Sequence, residues 1–153
     1  ADMQLNLLSK NFTLKLDQSL PEKRIWDLIR KKWVVFTPEE MVRQLYIQYL
    51  LIEKKIPLSR IAVEKEIKLS RKSKRCDIIL YDHQVIPKVI IECKSPDIQL
   101  DHKVVSQVVR YNQALEAPYL CITNGLVHQF FNKNHNGFWQ QIDEIDFDSI
   151  QKE

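Results

Sequence analysis

The segment from Asp77 to Lys94 constrains the fold most strongly, because it contains two short apolar runs that carry charged residues. The first run begins at Asp77, and the second ends at Glu92, Cys93 and Lys94. Runs of this length and composition predict β-strands joined by a short turn. Because side chains alternate between the faces of a strand, we expect Glu92 and Lys94 on one face and Cys93 on the other. The pattern predicts that two carboxylates and an amine converge at one edge of a small sheet.

This group of charged side chains is suited to metal-assisted hydrolysis. Carboxylates bind hard cations such as Mg²⁺, and a neighbouring lysine can act on a water molecule or on developing negative charge. Glu92 follows an apolar run, where an unpaired carboxylate is costly to bury, so it requires a cationic partner. A plain ion pair between Glu92 and Lys94 is the structural alternative. Taken alone, Asp77 is also explained by a position at the mouth of a strand, but the three residues together favour a metal-dependent phosphodiesterase.

Hydrophobic periodicity and turn signals predict the other elements. Thr37 is a good N-cap for a helix that runs to about Lys54, with Pro38 at its first position and Glu40 completing a capping box. The further predicted elements are strands within 5–8 and 12–16, a helix at 22–30, strands at 61–69, 76–82 and 88–94, a helix from about 101 to 115, a hairpin at 118–123 and 126–131, a strand near Trp139, and a helix in the acidic tail. This order predicts an α/β fold, namely a three-layer sandwich with a mixed central β-sheet flanked by helices. We expect one domain over 1–153 with a core at about 30–135.

The two long predicted helices offer further site residues. Gln107 and Tyr111 are four residues apart and therefore share a helix face, from which Gln107 would reach the site and Tyr111 would support Lys94 or contact substrate. Glu39 and Glu40 compete as an additional acid. Glu40 is already explained by the capping box, whereas Glu39 is spaced to share the apolar face that packs on the sheet, so the spacing favours Glu39.

Composition limits the class of protein and its setting. The chain has 153 residues, of which 44% are hydrophobic and 28% are charged, as expected of a soluble globule. No apolar run approaches the length of a membrane span, so we expect no membrane partner. The three cysteines lack metal-binding spacing and are expected to be buried thiols in a reducing cytoplasm. The formal net charge is only +3, but a basic cluster leads directly into Asp77. We expect either a solvated loop there or phosphate contacts from Arg71, Lys74 and Arg75.

Other catalytic arrangements find little support in the sequence. The chain has two glycines, which leaves no glycine-rich phosphate loop. Its four histidines lack zinc spacing, no Ser/His/Asp arrangement is apparent, and Cys93 is predicted to face away from the carboxylates.

The arrangement Asp77…Glu92-Cys93-Lys94 resembles the signature of the PD-(D/E)xK nuclease superfamily, whose fold is restriction endonuclease-like. A closer similarity is to the N-terminal nuclease domain of the R subunit of type I restriction enzymes, in a small stand-alone form without the motor regions. It covers roughly residues 30–135. The segments that carry the similarity are Thr37–Gln44, Glu92–Pro96, Gln107–Asn112, which contains a QxxxY-like motif, and Thr123–Gly125.

The resemblance implies residue roles. Asp77 and Glu92 would bind Mg²⁺, or Mn²⁺ in its place, with help from the carbonyl of Cys93. Lys94 would orient the attacking water or stabilise the phosphate, and Gln107 would position Lys94 or the DNA backbone. Glu39 or Glu40 would complete the site.

The sequence is therefore compatible with two functions. The first is a Mg²⁺-dependent DNA endonuclease, acting alone, as a homodimer or with partner subunits. The second is a non-catalytic nucleic-acid- or protein-binding module that retains the nuclease fold.

Overall fold

The computed structural model describes residues 2–5 and 10–152. The strands are β1 (Asp2–Leu5), β2 (Lys10–Thr13), β3 (Leu16–Asp17), β4 (Arg24–Asp27), β5 (Lys32–Val35), β6 (Ile61–Lys68), β7 (Ser73–Tyr81), β8 (Pro87–Cys93), β9 (Tyr119–Thr123), β10 (His128–Lys133) and β11 (Trp139–Ile142). The helices are α1 (Pro38–Ile52), α2 (His102–Tyr111) and α3 (Phe147–Lys152), and a 3₁₀ turn spans Leu58–Arg60.

A six-stranded mixed sheet with the order β11-β10-β9-β8-β7-β6 forms the centre of the protein. The pair β8 and β9 is parallel, and every other adjacent pair in this sheet is antiparallel. Helix α2 connects β8 to β9, as a parallel pair requires a crossover connection. Thus the mixed sheet predicted from the strand–helix–strand order and from the two hairpins is confirmed.

The two faces of the sheet carry separate apolar cores. One core packs α1 against the sheet through residues such as Leu45, Tyr46, Ile78 and Ile91. The other packs α2 against the opposite face and includes Ile79, Ile90, Val108 and Leu120. Neighbouring strand residues therefore enter different cores, which explains why the central strands are apolar on both faces. The predicted three-layer α/β sandwich is confirmed.

The predicted helix at 22–30 is wrong. Residues Arg24–Asp27 form β4, the middle strand of a small sheet with the order β3-β4-β5. Ile25 is fully buried, and the rings of Trp26 and Trp33 pack edge to face across the strand pair at 5.3 Å. Adjacent apolar residues in this segment fit both helical and strand patterns, and the cross-strand pairing decides between them.

Two other boundaries differ from the prediction. Helix α2 ends at Tyr111 because the buried side chain of Asn112 donates a hydrogen bond to the carbonyl of Val108, at 2.8 Å, and caps the helix. Strand β7 begins at Ser73, so part of the basic segment predicted as a loop belongs to a strand. The strand predicted within 5–8 lies mostly outside the described residues.

The central strands β7 and β8 separate in the middle of the sheet. Their antiparallel pairing ends at Ile78 and Ile91. Beyond that pair β7 continues only against β6, as far as Ser73, whereas β8 continues against β9, as far as Cys93. Asp77 and Glu92 lie at this separation, on two interior strands of the sheet.

Candidate active site

Asp77 is fixed at the point where the two strands separate. Its Oδ2 accepts a hydrogen bond from the backbone N–H of Cys93 at 2.7 Å, which gives that N–H a side-chain acceptor just past the last strand pair. Its Oδ1 lies 3.9 Å from Nη2 of Arg43 on α1. The carboxylate is therefore held from both neighbouring elements.

Glu92 lies beside Asp77 with only 13% of its side chain exposed. Burial raises the pKa of the Glu92 carboxyl to about 7, with the negative charge of Asp77 as the second cause. The ammonium of Lys74 acts in the opposite direction. The predicted convergence of two carboxylates is observed, and the charge of Asp77 adds to the effect of burial on Glu92.

Lys74 is the ion-pair partner of Glu92. Its Nζ lies 3.1 Å from Glu92 Oε1, 3.3 Å from the carbonyl oxygen of Arg75 and 4.1 Å from the centre of the Tyr111 ring. Only 7% of Lys74 is exposed. A solvated-loop position for Lys74 is therefore wrong, and so is the alternative in which Glu92 is paired with Lys94. The other cations of the basic segment, Arg71, Lys72 and Arg75, are exposed.

Lys94, Gln107 and Tyr111 meet Glu92 around one cavity. This cavity has a volume of about 250 Å³, and its lining residues are Lys74, Glu92, Lys94, Gln107, Val108, Tyr111 and Asn112. The alternation of side chains along β8 thus places Glu92 and Lys94 on the α2 face, as predicted. The shared helix face of Gln107 and Tyr111 turns towards the same space.

Cys93 points into the opposite core. It is buried among the α1-side residues, and burial raises the pKa of its thiol well above the usual range, with the charge of Asp77 adding to this effect. The predicted inward orientation is confirmed, and a thiol of this kind is a poor nucleophile.

The structure does not place Glu39 on the apolar helix face that its spacing predicted. Glu39 is exposed, whereas Glu40 is buried. Thr37 Oγ1 accepts the N–H of Glu40 at 3.0 Å, but the Glu40 carboxylate meets Arg30, Arg43 and Gln44, so the capping box does not account for it. The expectation that Glu39 packs on the sheet is therefore wrong.

Arg43 and Glu64 are site neighbours that the sequence analysis missed. The Arg43 guanidinium lies among three carboxylates, at 3.3 Å from Glu40, 2.6 Å from Glu64 and 3.9 Å from Asp77. Burial opposes its charge, but these acids raise the pKa of Arg43. Glu64 lies within β6 at φ 53, and its second oxygen is 3.3 Å from Arg75. An acid within a predicted strand was the available sequence signal for Glu64.

The donor set suits a small divalent cation. Two adjacent carboxylates, one with a raised pKa, provide charge that a cation would neutralise. No cluster of three or more His, Cys, Asp or Glu side chains with metal-binding geometry occurs in the described part of the chain. Mg²⁺ nevertheless binds through one or two carboxylates, with waters and substrate phosphates completing its shell.

An α/β sandwich with acidic and lysine side chains at a break in its mixed sheet is compatible with a restriction-endonuclease-like architecture. The family model of the type I restriction enzyme R protein N terminus (HSDR_N) matches residues 38–146, and the chain belongs to this family. No curated protein matches the chain significantly. Among the helices of the described ranges, none is long and apolar enough to cross a membrane.

Proposed function

We propose that this chain is a metal-dependent nuclease of the PD-(D/E)xK type that hydrolyses DNA phosphodiester bonds. The observation that carries the proposal is the meeting of Asp77 and Glu92 where β7 and β8 separate, with Lys94 beside the same cavity. Membership of the R-protein family supports DNA as the substrate.

Each residue has a proposed role. Asp77, Glu92 and the Cys93 carbonyl would hold Mg²⁺ or Mn²⁺. A bound divalent cation lowers the pKa of a water molecule and neutralises charge on the phosphate. Lys94 orients the attacking water or stabilises the negative charge that develops on phosphate. Gln107 positions Lys94 or the DNA backbone from the adjoining helix.

Residues around this centre support it indirectly. Glu40, and not Glu39, acts as the additional acid, because Arg43 links its carboxylate to Asp77. Arg71 is exposed in the turn before β7 and Arg75 is exposed on β7, and both would contact the phosphate backbone beyond the scissile bond.

Nicking of supercoiled DNA with Mg²⁺ or Mn²⁺ tests the proposal. The Lys94→Ala variant should lose at least 100-fold of the activity, as general acid–base groups contribute about 10²–10⁴. Lys103→Ala is a matched control, since Lys103 is an exposed cation in the first turn of α2 and does not line the cavity. Equal activity of the Lys94 variant and the wild type would refute the assignment.

A non-catalytic binding module is the second candidate. The buried Lys74–Glu92 ion pair favours it, because Lys74 already supplies an internal cation to one of the two carboxylates. Calorimetric titration with Mn²⁺ distinguishes the two functions. Binding to the wild type that is lost in Asp77→Ala supports the nuclease, whereas no binding, or equal binding by both proteins, supports the module.

A further inference from the structure

A second cavity adjoins the active-site cavity. It has a volume of about 440 Å³ and shares Lys74, Gln107 and Tyr111 with the first cavity. It lies between the C-terminal end of α2 and the turn that joins β6 to β7. The other residues that line it are Leu69, Lys72, Ser73, Arg110, Gln113 and Ala114. The two cavities are therefore neighbours, and Glu92 lines the first of them.

The charged residues that line the first cavity are both acidic and basic, whereas those that line the second cavity are basic. Lys72 and Arg110 are both exposed at the second cavity. Within the part of the chain that the structure describes, its lining contains no acidic residue. A positive cavity next to a phosphodiesterase site is suited to the next phosphate of the same strand.

The aromatic ring of Tyr111 lines both cavities. Tyr111 is 71% exposed, although aromatic side chains usually bury most of their surface. Lys74 Nζ lies 4.1 Å from the ring centre and helps to fix its position. A fixed, exposed ring between cations is the arrangement on which nucleobases stack in single-strand binding proteins.

We propose that the second cavity binds one unpaired nucleotide adjacent to the scissile phosphate. Its base stacks on Tyr111, and its phosphate lies between Lys72 and Arg110. A base within a duplex is already stacked and paired, and its extrusion costs a few kcal/mol, so the subsite selects single-stranded or frayed DNA. This inference rests on the proposed function and specifies its substrate.

Fluorescence anisotropy with a short labelled oligothymidylate in EDTA measures binding without cleavage. The single strand should bind more tightly than its duplex with oligoadenylate. Tyr111→Ala should weaken single-strand binding about 5- to 150-fold, because stacking contributes about 1–3 kcal/mol per base. Tyr111→Phe keeps the ring and should bind like the wild type. Thermal melts of each variant exclude misfolding as the cause.

Salt dependence tests the phosphate contacts separately. Lys72→Ala and Arg110→Ala should each reduce the slope of log K against log salt concentration by about 0.7, the value for one phosphate contact on a single strand. Lys103→Ala should leave the slope unchanged. Equal affinity for duplex and single strand, or wild-type binding by Tyr111→Ala, would overturn the proposal.

The binding and cleavage assays together distinguish failure of the nucleotide subsite from failure of the nuclease assignment. Impaired binding by the subsite variants in a protein that cleaves no DNA would retain the subsite and remove the nuclease. Lys94-dependent cleavage together with wild-type binding by all subsite variants would retain the nuclease and remove the subsite.

Discussion

The buried ammonium of Lys74 forms an ion pair with Glu92 at 3.1 Å, from the part of β7 that no longer pairs with β8. The Tyr111 ring covers this ammonium. The ion pair thus bridges the gap between β7 and β8, and it stabilises the acidic residue that we propose as a metal ligand.

Removal of the bridging ammonium should destabilise the protein. Lys74→Met leaves Glu92 buried without its partner, so we expect a loss of about 3 kcal/mol in the free energy of unfolding at about pH 8. Urea denaturation measures this loss. The double variant Lys74→Met/Glu92→Gln should recover most of it, since neither charge remains. Additive losses in the double variant would contradict the proposed coupling.

The stability of the metal-free protein should fall as the pH rises towards and through 7. Glu92 loses its proton near pH 4.5 when unfolded but near pH 7 when folded. Between these values the folded state binds the additional proton, so the contribution of Glu92 is complete below about 4.5 and is lost as the pH rises through about 7. Denaturation curves across this range should show a decrease of about 1–3 kcal/mol that is absent in Glu92→Gln.

Divalent cations should reverse this loss. Mn²⁺ competes with the proton at Glu92, so it should raise the melting temperature more at about pH 8 than at about pH 6. A concentration of about 100 times Kd corresponds to about 2.7 kcal/mol of stabilisation. Asp77→Asn should abolish the shift. A shift that persists in this variant would place the cation elsewhere.

Arg43 should act as a positioning residue for Asp77. Arg43→Ala leaves Glu40, Glu64 and Asp77 without their shared counter-ion, so we expect a loss of about 2–4 kcal/mol in unfolding free energy and weaker Mn²⁺ binding. Calorimetry and urea denaturation measure these effects. Adding Glu64→Gln should restore part of the stability, because it removes one of the uncompensated charges. Unchanged Mn²⁺ affinity in Arg43→Ala would assign Arg43 a purely structural role.

The two adjacent glutamates of α1 should respond differently to substitution. Glu40→Gln weakens the buried contacts to Arg30 and Arg43 and should lower both stability and DNA nicking. Glu39→Gln changes an exposed side chain and should alter neither, within about 0.5 kcal/mol for stability. Melting curves and nicking assays on the pair provide the comparison. If only the Glu39 variant lost nicking activity, Glu39 and not Glu40 would be the additional acid, as its spacing predicted.

Local patterns account for much of the fold. Thr37 and Pro38 were sufficient to predict where α1 begins, because helix capping depends on neighbouring residues. Side-chain alternation was sufficient to predict that Glu92 and Cys93 lie on opposite faces of the sheet, because the pleat of a strand is fixed. The segment at 22–30 was not predictable in this way. Its apolar residues fit two periodicities, and pairing with Lys32–Val35 selects the strand.

The sequence by itself determined the order along the chain of the elements that build the central sheet, and the set of acidic and basic residues available to the site. The tertiary structure decided which of them meet. Lys74 reaches Glu92 because β7 and β8 separate, and Arg43 reaches Asp77 because α1 packs across that separation. Such ion pairs depend on distances between elements remote in sequence, whereas capping and alternation depend only on neighbours along the chain.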